Sequence, residues 1–517
     1  MREAQGTREH WLGEVPPSDT QRPGWVNPAI AVLLTSGFFL RLVFYTGPIG
    51  SDDLSYFHFA QKLLLGESFN DLKPPNLLHQ GGRLAFVAII AVPAAWLDHI
   101  HFGVFANLLL FAVRDMVLTL FAYRALGGIP AAFAAAVLSL NPLSTVDASL
   151  MLPDGMTGFA MAGSSIAAYQ ALRTDDRRTL AWAFLSGVLA AIAYSAKDTG
   201  ILVVAPTVLG ILYWCRGRAL VLVLASYGLG CALIVGLEML VLWKLSGDPL
   251  YRFHAISAGH NQGMGPETEL LGFARRVYWN LLDAVTKPLA GTFPVLWLFV
   301  PAAGIALFDR TRRLLFPVTG AFIALYLVFG TSGLSRLVPV PAQERYFEVV
   351  VPYVALCVAM AVQLIRPAGR VLVLPALIAF SGGMVATAAP SVAFNAGDVT
   401  FSGVAKNAVI ALKTARDRYP ELEIYASPDL LFALEPFTQP ELYRRIKPYP
   451  DATPLPPGLY LMHPWRDFKI SASKDVYRDL ESMPVAASVN LDHRVASFLK
   501  LPPGKYKVLG EVRVRNN

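Results

Sequence analysis

Two adjacent carboxylates, Asp52 and Asp53, stand directly after the first long apolar run of the chain, Pro28 to Tyr45. Ser51 precedes them and suits a helix N-cap, so both acids fall in a first helical turn. There the helix dipole favours the ionised carboxylate. An ionised carboxylate held in place can take the proton from an incoming hydroxyl group. The same pair would serve equally to stabilise a helix start, and residue chemistry leaves both readings open. Leu54, Phe57, Ala60 and Leu64 then share one helical face, the pattern of a helix lying along a membrane surface.

Cations gather at comparable places. His79 and Arg83 follow the acids in the same stretch, Lys197 interrupts a pair of apolar runs, and Arg345 and Tyr346 open another run. Arg252, His254 and His260 lie in the segment that follows Gly247-Asp248-Pro249. Several cations on one side of a membrane protein would cradle a phosphate, which arginine grips with two prongs. Any one of them taken alone reads better as a side chain snorkelling to the interface. The set points to an anionic ligand, because cations on the outer side run against the usual bias. Asp154, in Leu152-Pro153-Asp154, is either a second carboxylate of such a site or an N-cap. Asp198 is expected to pair locally with Lys197.

The elements that must position these residues are membrane spans. The 517 residues are 54% hydrophobic and 16% charged, with a mean hydropathy of +0.46. Apolar runs near 28–46, 84–97, 103–123, 129–146, 155–172, 180–195, 199–215, 219–243, 287–308, 314–331, 347–365 and 371–390 predict a polytopic α-helical membrane protein of roughly 11–12 spans. The run 84–97 is short and contains Pro93, so parity leaves its crossing open. Arg173/Arg177/Arg178, Arg216/Arg218, Arg310/Arg312/Arg313 and Arg366/Arg370 mark cytoplasmic loops. That orientation puts 47–82, 147–154, 196–198, 244–286, 332–346 and 391–517 on the outer side.

The chain thus divides into a cytoplasmic segment, 1–27, a membrane portion, 28–390, with the outer loop 47–82, and a C-terminal extracytoplasmic α/β domain, 391–517. The last is richer in charge and proline, with strand-like pieces at Leu422 to Tyr425 and Gly458 to Met462 and helices over 404–418 and 474–482. The polar N-terminus with Arg2, Arg8 and Arg22 is too long for a cleavable signal peptide, so the first span is expected to be a retained anchor.

A net charge of +7 does not point to nucleic acid, because the positive residues sit in short clusters beside apolar runs. Cys215, Cys231 and Cys357 show neither pairing nor metal spacing. Arg41, Arg114, Asp115 and Glu238 lie inside apolar runs and read as structural charges that pair with other helices. The neighbours Arg114 and Asp115 are expected on different helix faces. No phosphate-cradling glycine loop, nucleophile elbow or metal-ligand spacing is found. A transporter would place its charges at the bilayer midplane within repeated halves, unlike this one-sided set.

Asp52-Asp53-Leu54-Ser55-Tyr56, with Leu152-Pro153-Asp154, Ser195-Ala196-Lys197-Asp198-Thr199, Gly247-Asp248-Pro249-Leu250-Tyr251 and Arg345-Tyr346, resembles the GT-C superfamily of membrane glycosyltransferases. The similarity is greatest to family 39 and its bacterial relatives, which include protein O-mannosyltransferases and the lipid A aminoarabinose transferase. It covers most of residues 28–390. The family's acidic pair is Asp-Glu-x-x-Tyr, and here Asp replaces the Glu. His79-Gln80-Gly81-Gly82-Arg83 stands where the family often has His or Lys before Pro-Pro.

The resemblance implies an inverting transfer from a polyprenyl-phosphate-linked sugar to a hydroxyl of a lipid, glycan or protein, at the extracytoplasmic face of the plasma membrane. Asp52 then takes the place of the catalytic base and Asp53 stands beside it. Tyr56, His79, Arg83, Asp154, Lys197, Arg345 and Tyr346 become substrate-binding candidates. A divalent cation is left open, and no cofactor is assigned. The alternatives are a transporter or flippase of a lipid-linked glycan, a GT-C ligase that moves a preassembled glycan, and a scaffold in which Asp52 is dispensable.

Overall fold

The computed structural model describes residues 24–48, 52–69, 80–174, 178–255, 278, 296–309, 311–330, 344–364, 367–394, 401–450, 454–462, 474–492 and 508–516. Among the described residues, the membrane portion is built of helices. Its helices are α1 (Val26–Val43), α2 (Asp52–Leu65), α3 (Leu84–Trp96), α4 (Ile100–Leu126), α5 (Gly128–Ser139), α6 (Pro142–Asp147), α7 (Asp154–Arg173), α8 (Arg178–Ala196), α9 (Asp198–Trp214), α10 (Gly217–Ser246), α11 (Leu296–Ala306), α12 (Leu315–Phe329), α13 (Val351–Leu364) and α14 (Pro367–Phe394).

Among the described residues, seven helical stretches are long and apolar enough to cross a membrane, and α3, α5, α9 and α11 are shorter apolar helices. The run 129–146, expected as one span, is broken in two. Asn141 accepts hydrogen bonds from the Leu143 and Ser144 backbone N–H groups, and Pro142 opens the new helix. The run 84–97 is one helix with a π-helical turn, Val87–Ala91, at its centre.

The interior is built on small residues. In α5, Ala131, Ala132, Ala134, Ala135 and Ala136 are wholly buried, and α1, α4 and α13 pack around them. Without a hydrophobic force between helices in lipid, close backbone approach supplies the contact energy. The α8–α10 pair shows this most sharply. A Cβ at Gly187 would lie 2.0 Å from the Tyr227 carbonyl oxygen, and one at Gly230 would lie 2.2 Å from that of Phe184. Gly187→Leu is expected to cost at least about 1–3 kcal/mol through overpacking, read as a lowered melting temperature in detergent. A wild-type melt would show that the helices part without cost.

The C-terminal portion is a five-stranded sheet of order β2-β1-β3-β5-β4. Its strands are β1 (Ile424–Ala426), β2 (Ile446–Pro448), β3 (Gly458–Met462), β4 (Val485–Asn490) and β5 (Val508–Arg515). β1 runs parallel to β2 and β3, whereas β5 is antiparallel to β3 and β4. Helix α15 (Phe401–Arg418) covers one face with Ala405, Ala408, Val409, Leu412 and Ala415. Its spacing of three and four residues is what makes that stripe apolar. α16 (Pro428–Leu434) is followed by a short turn bearing Glu435, whose Oε2 lies 3.0 Å from His58 Nε2 on α2.

Candidate functional site

Asp52 is the first residue of α2, so its carboxylate stands at the end of the helix rather than along its side. Gln80 Nε2 donates to Asp52 Oδ1 at 3.1 Å, and Arg345 Nη2 faces Asp52 Oδ2 at 3.4 Å. Arg345 reaches it from a 3₁₀ turn, Glu344–Val350, that leads into α13. The Asp52 side chain keeps 19% of its surface and Arg345 27%, so both remain within reach of a ligand. Asp53, one residue on, is fully buried.

A second group stands beside the first. Lys197, in the corner between α8 and α9, is paired with Asp154, the first residue of α7. Its Nζ also sits 3.8 Å from the centroid of the Tyr346 ring, and Arg345 Cζ lies 5.5 Å from the same centroid. Tyr346 is therefore shared by the two cations, whose charge its π-face attracts. The third cation, Arg83, donates to the hydroxyl of Tyr56, which packs edge-on against Phe86 with centroids 4.8 Å apart. Burial pushes the Tyr56 hydroxyl above its ordinary pKa, against the pull of Arg83. Tyr56 is thus a neutral acceptor that orients the guanidinium.

Three buried polar atoms around this centre have no hydrogen-bond partner among the described residues: Arg83 Nε, Arg345 Nε and Gln80 Oε1. Orphaned buried N–H groups are rare because each costs about 1–3 kcal/mol. Two of them on cations beside one carboxylate make a site that an anionic oxygen would complete. Among the described residues, no three His, Cys, Asp or Glu side chains form a metal-ligand set.

Of the residues singled out from sequence, Asp52, Arg345, Tyr346, Lys197 and Asp154 form one continuous chain of contacts, and Tyr56 and Arg83 stand together beside it. Ser51, His79 and His260 lie outside the described residues. Several expectations are corrected. Asp198 does not pair with Lys197; it accepts from Arg252 at 2.7 Å, while Lys197 turns to Asp154. Arg252 is no open phosphate ligand, being 2% exposed and committed to protein acceptors. His254 is exposed and bonds Asp248 at 2.6 Å.

Arg114 and Asp115 do touch, Arg114 Nε donating to Asp115 Oδ1 at 2.9 Å. Each also reaches another helix: Arg41 donates to Asp115, and Arg114 donates to Glu348 on the 3₁₀ turn of Arg345. Sequence reasoning missed Gln80 and Glu348. Gln80 stands in a stretch read for its difference from a motif, and Glu348 falls inside the run read as apolar, 347–365.

The sequence matches no family model. No curated protein matches it either. Among solved structures, ArnT from Cupriavidus metallidurans in the apo state is similar over 95% of this chain and 98% of that one, at 17% identity and a TM-score of 0.53. ArnT bound to undecaprenyl phosphate covers the same shares at 18% identity and a TM-score of 0.47. The oligosaccharyltransferase AglB from Archaeoglobus fulgidus, in complex with an inhibitory peptide and a dolichol-phosphate, is similar over 82% of this chain and 64% of that one, at 9% identity and a TM-score of 0.48. On the strength of the first, this multi-pass membrane protein shares the fold of ArnT along nearly its whole length.

Proposed function

We propose that the protein is an inverting glycosyltransferase that moves a sugar from a polyprenyl-phosphate carrier to a hydroxyl-bearing acceptor at the extracytoplasmic face of the plasma membrane. The observation that carries this reading is the meeting of the Asp52 carboxylate with Arg345, which Tyr346 joins to Lys197. Asp52 takes the proton of the acceptor hydroxyl. The freed oxygen attacks the anomeric carbon from the side opposite the lipid phosphate. The carbon–oxygen bond to the phosphate breaks, and the leaving phosphate keeps the electron pair. Its charge grows during that step, so fixed cations stabilise the transition state more than the bound donor. Arg345, Arg83 and Lys197 supply that charge. Asp52 and Asp154 pair with Arg345 and Lys197, while Arg83 is bonded to the neutral Tyr56 and keeps its charge for a phosphodiester. Asp53 is assigned to positioning of the turn.

The extracytoplasmic assignment is supported by helix connectivity. Asp154 and Lys197 stand at one end of the α7–α8 pair, whereas Arg173 and Arg178 stand at the other. The basic end is the cytoplasmic one by the positive-inside rule.

The test is a transfer assay with the purified full-length chain in lipid nanodiscs and a panel of polyprenyl-phosphate sugars, following release of polyprenyl phosphate. Release from at least one donor is expected. If no donor is consumed while the protein binds and moves lipid-linked sugars across the bilayer, the transporter reading replaces this one. In the same assay, Arg345→Ala is expected to lower kcat/KM for the donor by roughly 10–100-fold, the loss of one charge-assisted hydrogen bond. An unchanged kcat/KM would remove Arg345 from the phosphate cradle.

A further inference from the structure

The buried side chain of Arg252 joins residues that are far apart in the sequence. Its guanidinium donates to Gly82 O at 2.8 Å, Ser195 O at 3.2 Å, the Tyr194 carbonyl, Asp198 Oδ1 at 2.7 and 3.1 Å, and Glu238 Oε1 at 2.9 Å. The acceptors come from three separate parts of the chain. Gly82 immediately precedes Arg83. Tyr194 and Ser195 belong to the last turn of α8, whose carbonyls lack helical partners and carry the negative end of its dipole. Asp198 immediately follows Lys197. Two of the three cations assigned to the phosphate therefore adjoin residues that one guanidinium holds.

The local sequence is shaped around this strut. A Cβ at Gly82 would come within 2.9 Å of Arg252 Cγ and 3.2 Å of its Cα, so glycine is what lets the outer loop close on the arginine. The Ser195 hydroxyl accepts from the Ala85 backbone N–H at 3.0 Å, a second tie between the same two segments. Glu238, from the middle of α10, offsets part of the buried charge.

We infer that Arg252 is a positioning residue for the lipid-phosphate site: it sets the spacing between Arg83 and Lys197 by clamping Gly82 to the end of α8. It does not touch the substrate, and it acts through those two cations. This inference rests on the proposed cradle and adds the part that holds it in register. A lysine cannot replace this arginine, because an ammonium offers three donors around a point rather than a planar fork that spans two backbone segments and two carboxylates.

The test measures binding of undecaprenyl phosphate and of undecaprenol, the same chain without the phosphate, to the full-length protein in nanodiscs. Wild type is expected to prefer the phosphate. Arg252→Lys and Gly82→Ala are each expected to weaken phosphate binding about tenfold while leaving undecaprenol binding unchanged. Joining Arg252→Lys to Arg83→Ala is expected to lose less than the product of the two single losses, because part of the Arg252 effect runs through Arg83. If Arg252→Lys does not fold, Gly82→Ala, which keeps every charge, decides by the same two ligands. Wild-type phosphate binding by both variants, losses that multiply in the double variant, or an equal loss of undecaprenol would each overturn the inference and leave the cradle standing. A wild-type protein indifferent to the phosphate overturns the cradle, and the inference with it.

Discussion

Asp52→Asn is expected to lower sugar transfer by about 10²–10⁴-fold, the usual contribution of a positioned general base, while leaving the fold and the membrane insertion intact. Asparagine keeps the shape of the side chain and an oxygen that accepts from Gln80. On the proposed mechanism, what it loses is the capacity to hold the acceptor's proton as the new bond forms. The cost in stability should be small. Asp52 and Arg345 each keep part of their surface, and a partly solvated pair at 3.4 Å contributes at most about 1 kcal/mol. Transfer and thermal melting, measured on one preparation, separate the two effects. A variant that transfers at the wild-type rate would rule Asp52 out as the base. A variant that fails to melt cooperatively would instead assign it to the fold, the role that its place at the start of α2 equally allows.

The second large effect lies in the interior. Arg41, Arg114, Asp115 and Glu348 are all at most 2% exposed, and each touches another member of the group. Ser144 Oγ completes it by donating to Glu348 at 2.8 Å, and Arg41 also donates to the Leu138 carbonyl at 3.1 Å. Asp115→Ala removes the acid between two guanidinium groups. Leaving such charge buried without its partner costs about 3–5 kcal/mol, a large share of the roughly 5–15 kcal/mol that holds a typical protein folded. A deep drop in melting temperature is therefore expected. The double variant Arg41→Met with Asp115→Leu should recover most of it, because an apolar pair of similar volume replaces the ion pair without an orphan charge. If Asp115→Ala melts as wild type does, water or lipid phosphate must reach this cluster and the interior is wetter than its packing indicates.

How much of this was legible in the sequence depended on whether the signal was local. The apolar runs announced the helices because a span must satisfy its own backbone. Gly458 to Met462 announced β3, since a run of Leu and Tyr between turn residues has few other places to go. β2, at Ile446–Pro448, gave no such sign, being three residues long and held by its neighbour β1. Asp52 and Arg345 were visible as unusual charges beside apolar runs. Their contact across 293 positions of sequence was not, because nothing local encodes it. The errors share one cause. Asp198 was given to its neighbour Lys197, and Arg114 was separated from Asp115, by arguments about a single segment. In the structure Lys197 is captured by Asp154 and Asp198 by Arg252, each from a distant helix.

Arg345 and Glu348 stand one turn apart on the same 3₁₀ segment, one reaching the partly exposed Asp52 and the other the buried ionic cluster. Anyone wishing to graft a foreign segment in its place cannot treat it as a detachable module. The graft would have to carry the cognate partners on α1, α4 and α6 as well, and a chimaera cut at that segment alone would inherit a mismatch at its centre.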